Sequence, residues 1–186
     1  MKLTHVFGTA LLFTLAAASL AADNKADEQA SIRSMAQDRL QRLYKAQPGA
    51  QSAVQNAVGY AVFSNTGIKI LLAGSGKGKG IAVNNQTKSE TFMKMLEVQA
   101  GLGFGVKKFT VVFVFTTPGA FNNFVNSGWQ FGSQASAAAK TSDNGGSMQG
   151  AASVSDGVYM YQMTDKGLAA EITVKSTKYR KDDDLN

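Results

Sequence analysis

The sequence contains no cysteine, and its single histidine, His5, sits within the first few residues. Absence of thiols excludes disulfides, thiolate nucleophiles and cysteine-ligated zinc, so packing and hydrogen bonding alone must hold the fold. It also excludes anchoring through a lipidated N-terminal cysteine. Without an imidazole beyond residue 5 there is no Ser-His-Asp or Cys-His constellation and no histidine metal site. Proline occurs twice, at Pro48 and Pro118, and each is expected to mark a helix boundary. No apolar run reaches the roughly 20 residues that a membrane span needs. Interior acids are few: Glu90, Glu97, Asp143, Asp156, Asp165 and Glu171 stand mostly in turn-like contexts, which leaves a carboxylate-pair hydrolase as a minor reading. These absences point to a binding module that is not an enzyme, with no catalytic residue, no metal ligand and no cofactor.

What is present begins with Lys2, an apolar stretch from Val6 to Leu15, and small residues ending Ala18-Ser19-Leu20-Ala21-Ala22. Residues 1–22 thus read as a secretory signal peptide, cleaved after Ala21 or Ala22, with an uncleaved N-terminal anchor as the other reading. The expected location is periplasmic, or secreted if the host lacks an outer membrane. Without Lys2 the balance is 18 basic to 13 acidic residues, a formal charge of +5. No nucleic-acid recognition motif accompanies that charge. Anionic lipid headgroups or envelope polymers are the better partners for it, unless the charge merely keeps the protein soluble.

Residues 23–186 read as one domain: a helical part over 27–58, a sheet-rich part over 59–175, and a C-terminal tail over 176–186. Ile32, Met35, Ala36, Leu40 and Leu43 recur at helical spacing, predicting an amphipathic helix from about Asp27 to Ala46. A second short helix follows Pro48, with Ala50, Ala53, Val54, Ala57 and Val58 on one face. From Gly59 the pattern becomes strands and turns. Tyr60 to Phe63, Ile68 to Ala73, Ser89 to Gln99, Gly101 to Val106 and Phe109 to Phe115 read as strands, the last buried on both faces. Lys107-Lys108 is the expected hairpin tip between the last two. Thr117 caps a helix begun by Pro118, and Phe121, Phe124, Val125, Gly128 and Trp129 follow at helical spacing. Strands near Gln134 to Ala139, Met148 to Val154, Val158 to Met163 and Leu168 to Val174 complete the pattern. The predicted class is α+β: a curved, barrel-like antiparallel sheet with N-terminal amphipathic helices and one covering helix.

The run Gly74-Ser75-Gly76-Lys77-Gly78-Lys79-Gly80 suggests phosphate binding, but no Ser or Thr follows either lysine as a P-loop requires. The dinucleotide fingerprint fails too, since Lys79 stands where a glycine is needed and no βαβ pattern surrounds it. Nucleotide binding is therefore not expected. Alternate glycines instead leave one strand face bare for a close approach, with Ser75, Lys77 and Lys79 on the other face or in an exposed loop. Those lysines could simply guard an edge strand, or they could attract an anion such as a lipid phosphate. Candidate anion contacts are Ser75, Lys77 and Lys79, with Arg39, Arg42 and Lys45 on the first helix and Lys107 and Lys108 at the hairpin tip.

In order through residues 59–183, the sequence carries Gly59-Tyr60-Ala61-Val62-Phe63, the Gly74 to Gly80 run, Met93-Lys94-Met95 and Gly101-Leu102-Gly103-Phe104-Gly105. Phe113-Val114-Phe115, Gly128-Trp129-Gln130-Phe131-Gly132, Val158-Tyr159, Gly167-Leu168 and Thr177-Lys178-Tyr179 with Lys181-Asp182-Asp183 follow. Each is weak alone, but in this order and spacing they resemble the bacterial branch of the SYLF domain family. The resemblance implies a compact α+β domain with a barrel-like sheet that binds acidic phospholipids or a membrane surface. In eukaryotic relatives an amphipathic N-terminal helix takes part, which carries over onto Ile32 to Lys45; the actin contact of some relatives does not carry over to an exported chain. A variant of this reading holds an acyl chain inside, against the bare glycine faces. The alternative is an envelope scaffold or stress-related interaction module that self-associates through its Phe and Val strands.

Overall fold

The computed structural model describes residues 10–64, 75–98, 109–130, 148–164, 167–168 and 177–186. Helix α1 (Ala10–Ala46) buries Ile32, Ala36, Leu40 and Leu43 as one stripe. It begins far ahead of the expected Asp27, because no glycine or proline interrupts residues 9–47 and the alanines there favour helix. Pro48 stands at the N-cap position of α2 (Gly49–Asn56), which buries Ala50, Ala53 and Val54. Strands β1 (Gly59–Ser64), β2 (Ser75–Asn84), β3 (Glu90–Val98) and β4 (Phe109–Phe115) come next. They precede α3 (Pro118–Ser127), β5 (Trp129–Gln130), β6 (Ala152–Ser155), β7 (Val158–Thr164), β8 (Gly167–Leu168) and β9 (Thr177–Lys181).

All described pairings are antiparallel, in one sheet ordered β5-β9-β3-β2-β1-β4-β7-β6, with β8 added to β7. Helices against a curled antiparallel sheet make the fold α+β, as expected. Side chains alternate between two apolar layers. Val62, Ile81, Phe92, Val112, Val114 and Tyr161 face α1 and α2. Ala61, Phe63, Met93, Met95, Val111, Phe113, Phe115 and Tyr179 face α3. Residues 110–115 of β4 are all buried, as a strand covered on both faces must be.

The glycine run lies in β2 rather than in a loop, and it pairs with both β1 and β3. A Cβ on Gly80 would meet the Phe63 ring and the Val62 carbonyl, and one on Gly78 would meet Met95. The bare face therefore serves close packing, and protein side chains occupy the space beside Gly78 and Gly80. Phe63 lies edge-on to Tyr179 with ring centroids 4.7 Å apart, and Phe124 lies 4.9 Å from Phe115. Aromatic pairs of this kind add about 0.5–1.5 kcal/mol each beyond their buried area.

Thr117 accepts a hydrogen bond from the Ala120 N–H at 3.3 Å, with Pro118 opening α3 as expected. The helix stops at Ser127, however, and does not include Trp129. Gly128 adopts φ 70°, and its N–H bonds to the Phe124 carbonyl, so the chain turns at a position that glycine tolerates best. Trp129 then leaves as β5 and pairs with Tyr179. Residues 176–186, read from sequence as a tail, supply β9 between β5 and β3. The expected strands Ile68 to Ala73, Gly101 to Val106 and Gln134 to Ala139, the tip Lys107-Lys108, and most of Leu168 to Val174 lie outside the described residues.

Candidate functional site

Residues directly opposite each other in an antiparallel ladder project to the same side. Lys79 of β2 is opposite Lys94 of β3, and Lys94 is opposite Arg180 of β9. This makes a row of three cations about 10 Å long at ordinary strand spacing. In the next row Lys77 is opposite Leu96, Leu96 opposite Lys178, and Lys178 opposite Gln130 of β5. The face is the one α1 covers, but it lies past the buried Ile81 and Phe92 where the helix footprint ends. Lys178 and Arg180 are exposed and have no carboxylate partner among the described residues.

Like charges set directly opposite destabilise a sheet unless acids intervene. Two acidic groups do so here. Glu28 of α1 forms an ion pair with Lys79, both side chains a little over one third exposed. Lys94 Nζ reaches Asp182 at 2.7 Å and Asp184 at 2.9 Å. Hydrogen bonds to Asp182 and then Asp184 hold the Lys94 ammonium above its ordinary pKa. The Lys94 bond holds the Asp184 carboxyl below its own. Asp182 is 2% exposed yet satisfied, since it also accepts the Asp184 N–H. The row thus carries a balanced inner part at Lys79 and Lys94 and an unbalanced outer part at Arg180 and Lys178.

The chain end and α1 frame this face. Asn186 extends the ladder beyond β9: its side-chain amide donates to the Phe92 carbonyl at 2.9 Å and accepts the Phe92 N–H at 3.0 Å. Lys25 and Gln29 donate to the carbonyls of Asn186 and Leu185. Arg33 pairs with Glu90 at 2.7 Å, and its guanidinium lies 5.0 Å from the Phe92 ring centroid.

The sequence-derived candidates separate accordingly. Lys79 is in the row, and Ser75 and Lys77 hold ladder positions opposite Val98 and Leu96. Arg42 and Lys45 are exposed on α1, away from the row in sequence and structure. The Arg39 side chain is only 13% exposed; one nitrogen lies 3.3 Å from Asp38, and Nε is buried without a partner. Lys107 and Lys108 lie outside the described residues. Sequence reasoning missed Lys94, Lys178 and Arg180. The signal was available: Thr177 and Tyr179 alternate with Lys178 and Arg180, the period of a strand with one wet face. No group of three or more His, Asp or Glu suited to a metal occurs among the described residues.

Residues 96–186 match the family described as Ysc84, Las17-binding protein actin regulator. Beta cell expansion factor A of Aeromonas veronii is 33% identical over 155 residues, 83% of this chain. The chain belongs to the SYLF family. It spans 58% of the length of that Aeromonas relative. The family match takes in the second half of β3, β4, α3 and the strands through β9, so it includes Lys178 and Arg180 but neither Lys79 nor Lys94. Both printed descriptions name a regulatory or binding role rather than a reaction, in keeping with a SYLF chain that lacks imidazole past residue 5. No described helix of this SYLF chain is long and apolar enough to cross a membrane, which leaves strands out of account.

Proposed function

We propose that this SYLF chain is an exported, non-enzymatic domain that binds acidic phospholipid surfaces through the outer sheet face carrying Lys79, Lys94, Lys178 and Arg180. The observation that carries this reading is the exposure of Lys178 and Arg180 without acids, on the same face and beside two more cations. A flat ladder with cations at strand spacing suits a surface of many headgroups better than a single buried anion. Each basic residue near an anionic membrane contributes only about 1 kcal/mol, so several must act together. The export part of the proposal rests on residues 1–22. Every α1 ion pair and side-chain hydrogen bond among the described residues comes from Lys25 onward, so cleavage after Ala21 or Ala22 would spare those contacts.

Co-sedimentation with vesicles tests the reading. Binding should be stronger for vesicles containing acidic phospholipid than for net-neutral ones, and it should weaken between low and physiological salt as screening shortens the field. Equal binding to both vesicle types at both salt levels would refute it. Pelleting with actin filaments but not with any vesicle would move the chain to the role that the Ysc84 description gives its family.

A further inference from the structure

On the opposite side of the sheet, a cavity of about 250 Å³ runs between the outer flank of α3 and the turn joining β6 to β7. Phe115 and Phe124 line it, and Trp129 stands at the end where α3 gives way to β5. Its polar lining includes Asn123 on α3 with Ser155 and Asp156 on the turn. These three side chains are exposed and make no hydrogen bond or ion pair within the described chain. Asp156 is the one ionisable group among the lining residues, in a chain whose overall charge is +6. A Cβ added to Gly119 would meet nothing within 4 Å, so that flank of the trough is open. The turn itself is fixed, since the Thr116 N–H donates to the Gly157 carbonyl at 2.9 Å.

We propose that this cleft binds a small organic ammonium group. The lining selects the charge: an anion would face Asp156 with no cation to offset it, whereas a cation gains the carboxylate, two further oxygen acceptors and an indole. Cations are drawn to the face of Trp more than to other rings, and quaternary ammonium groups are the familiar instance. The volume falls below the usual range for drug-sized ligands, so one headgroup-sized cation is the scale that fits. The group could be free in solution or borne on a lipid. The site shares no residue with the basic face, so either proposal can fail alone.

Trp129 is the only tryptophan in the chain, so its emission reports on the cleft directly. Choline titrated into the full chain should give a saturable change, while the neutral isostere 3,3-dimethyl-1-butanol and glucose should not. Asp156→Asn should weaken choline by about tenfold, the scale of one hydrogen bond or contact to a charged group. Asn123→Ala, with its circular-dichroism melt unchanged, should weaken it less, and neither variant should alter binding to acidic vesicles. Vesicles bearing choline headgroups, compared with free choline at equal concentration, tell a lipid-borne cation from a soluble one. An equal response to the neutral isostere, a glucose response that survives Asp156→Asn, or no saturable change with choline would overturn the assignment.

Discussion

Replacing Glu28 by Gln removes the carboxylate that balances Lys79 while keeping the length and polarity of the side chain. Both partners of that ion pair are a little over one third exposed, and pairs in such a setting contribute about 0.2–1 kcal/mol to stability. For a domain of this length about 2–4 °C of melting temperature corresponds to each kcal/mol, so the variant should melt no more than about 4 °C lower. On the proposed face the same change raises the local charge by one, and one charge near an acidic membrane is worth about 1 kcal/mol. That is about a fivefold gain in affinity at low salt. Glu28→Gln should therefore be slightly less stable and bind acidic vesicles more tightly, the gain vanishing in high salt. Thermal melts followed by circular dichroism and vesicle titrations at two salt concentrations give both quantities. Unchanged or weaker binding with an intact melt would refute the idea that Glu28 competes with lipid for Lys79. So would an equal gain on net-neutral vesicles.

Lys178→Gln with Arg180→Gln should weaken binding to acidic vesicles about thirtyfold at low salt, from about 1 kcal/mol per cation. The same exchange at Arg42 and Lys45 should cost much less in the same titration, and an equal loss would place the contact on α1. Gly80→Ala should destabilise by about 1–3 kcal/mol in urea unfolding, because the new methyl meets a backbone carbonyl as well as the Phe63 ring. Gly119→Ala, in the first turn of α3 with open space around it, should be neutral or stabilising by up to about 1 kcal/mol. Burial pushes Tyr44 and Tyr161 up to about 12 and raises Tyr60 as well. The folded state disfavours their phenolates, so stability is intact below pH 10 and falls as pH rises from 10 to about 12. Tyrosinate absorbance should accordingly lag behind that of the urea-unfolded chain over this range.

The elements legible in the sequence were those whose pattern is set by one neighbour. α1 showed its stripe because a helix resting on a sheet buries one face, and β4 showed an unbroken apolar run because both of its faces are covered. Thr117 and Pro118 announced α3 through local capping chemistry. Its end was misjudged because Trp129 fits the helical spacing that Gly128 interrupts; periodicity carries no record of a positive φ. The middle placement of β9 could not be read, since a five-residue alternating segment near charged residues looks the same whether it pairs with β3 or with nothing. That same gap hid most of the basic face. Lys79 was found because glycines frame it, whereas Lys94, Lys178 and Arg180 become neighbours only through a pairing about ninety residues apart in the chain.

The two-residue strand β5 has β9 as its ladder partner, and β9 must first find β3 across that long separation. Contacts so distant in the chain form slowly, because a large loop has to close before they bring any gain. The lone indole, set between that late pair and the rings of Phe113 and Phe124, therefore serves as a clock for the closing step of folding. In a stopped-flow refolding experiment its emission should settle after the far-ultraviolet ellipticity of the helices has already returned.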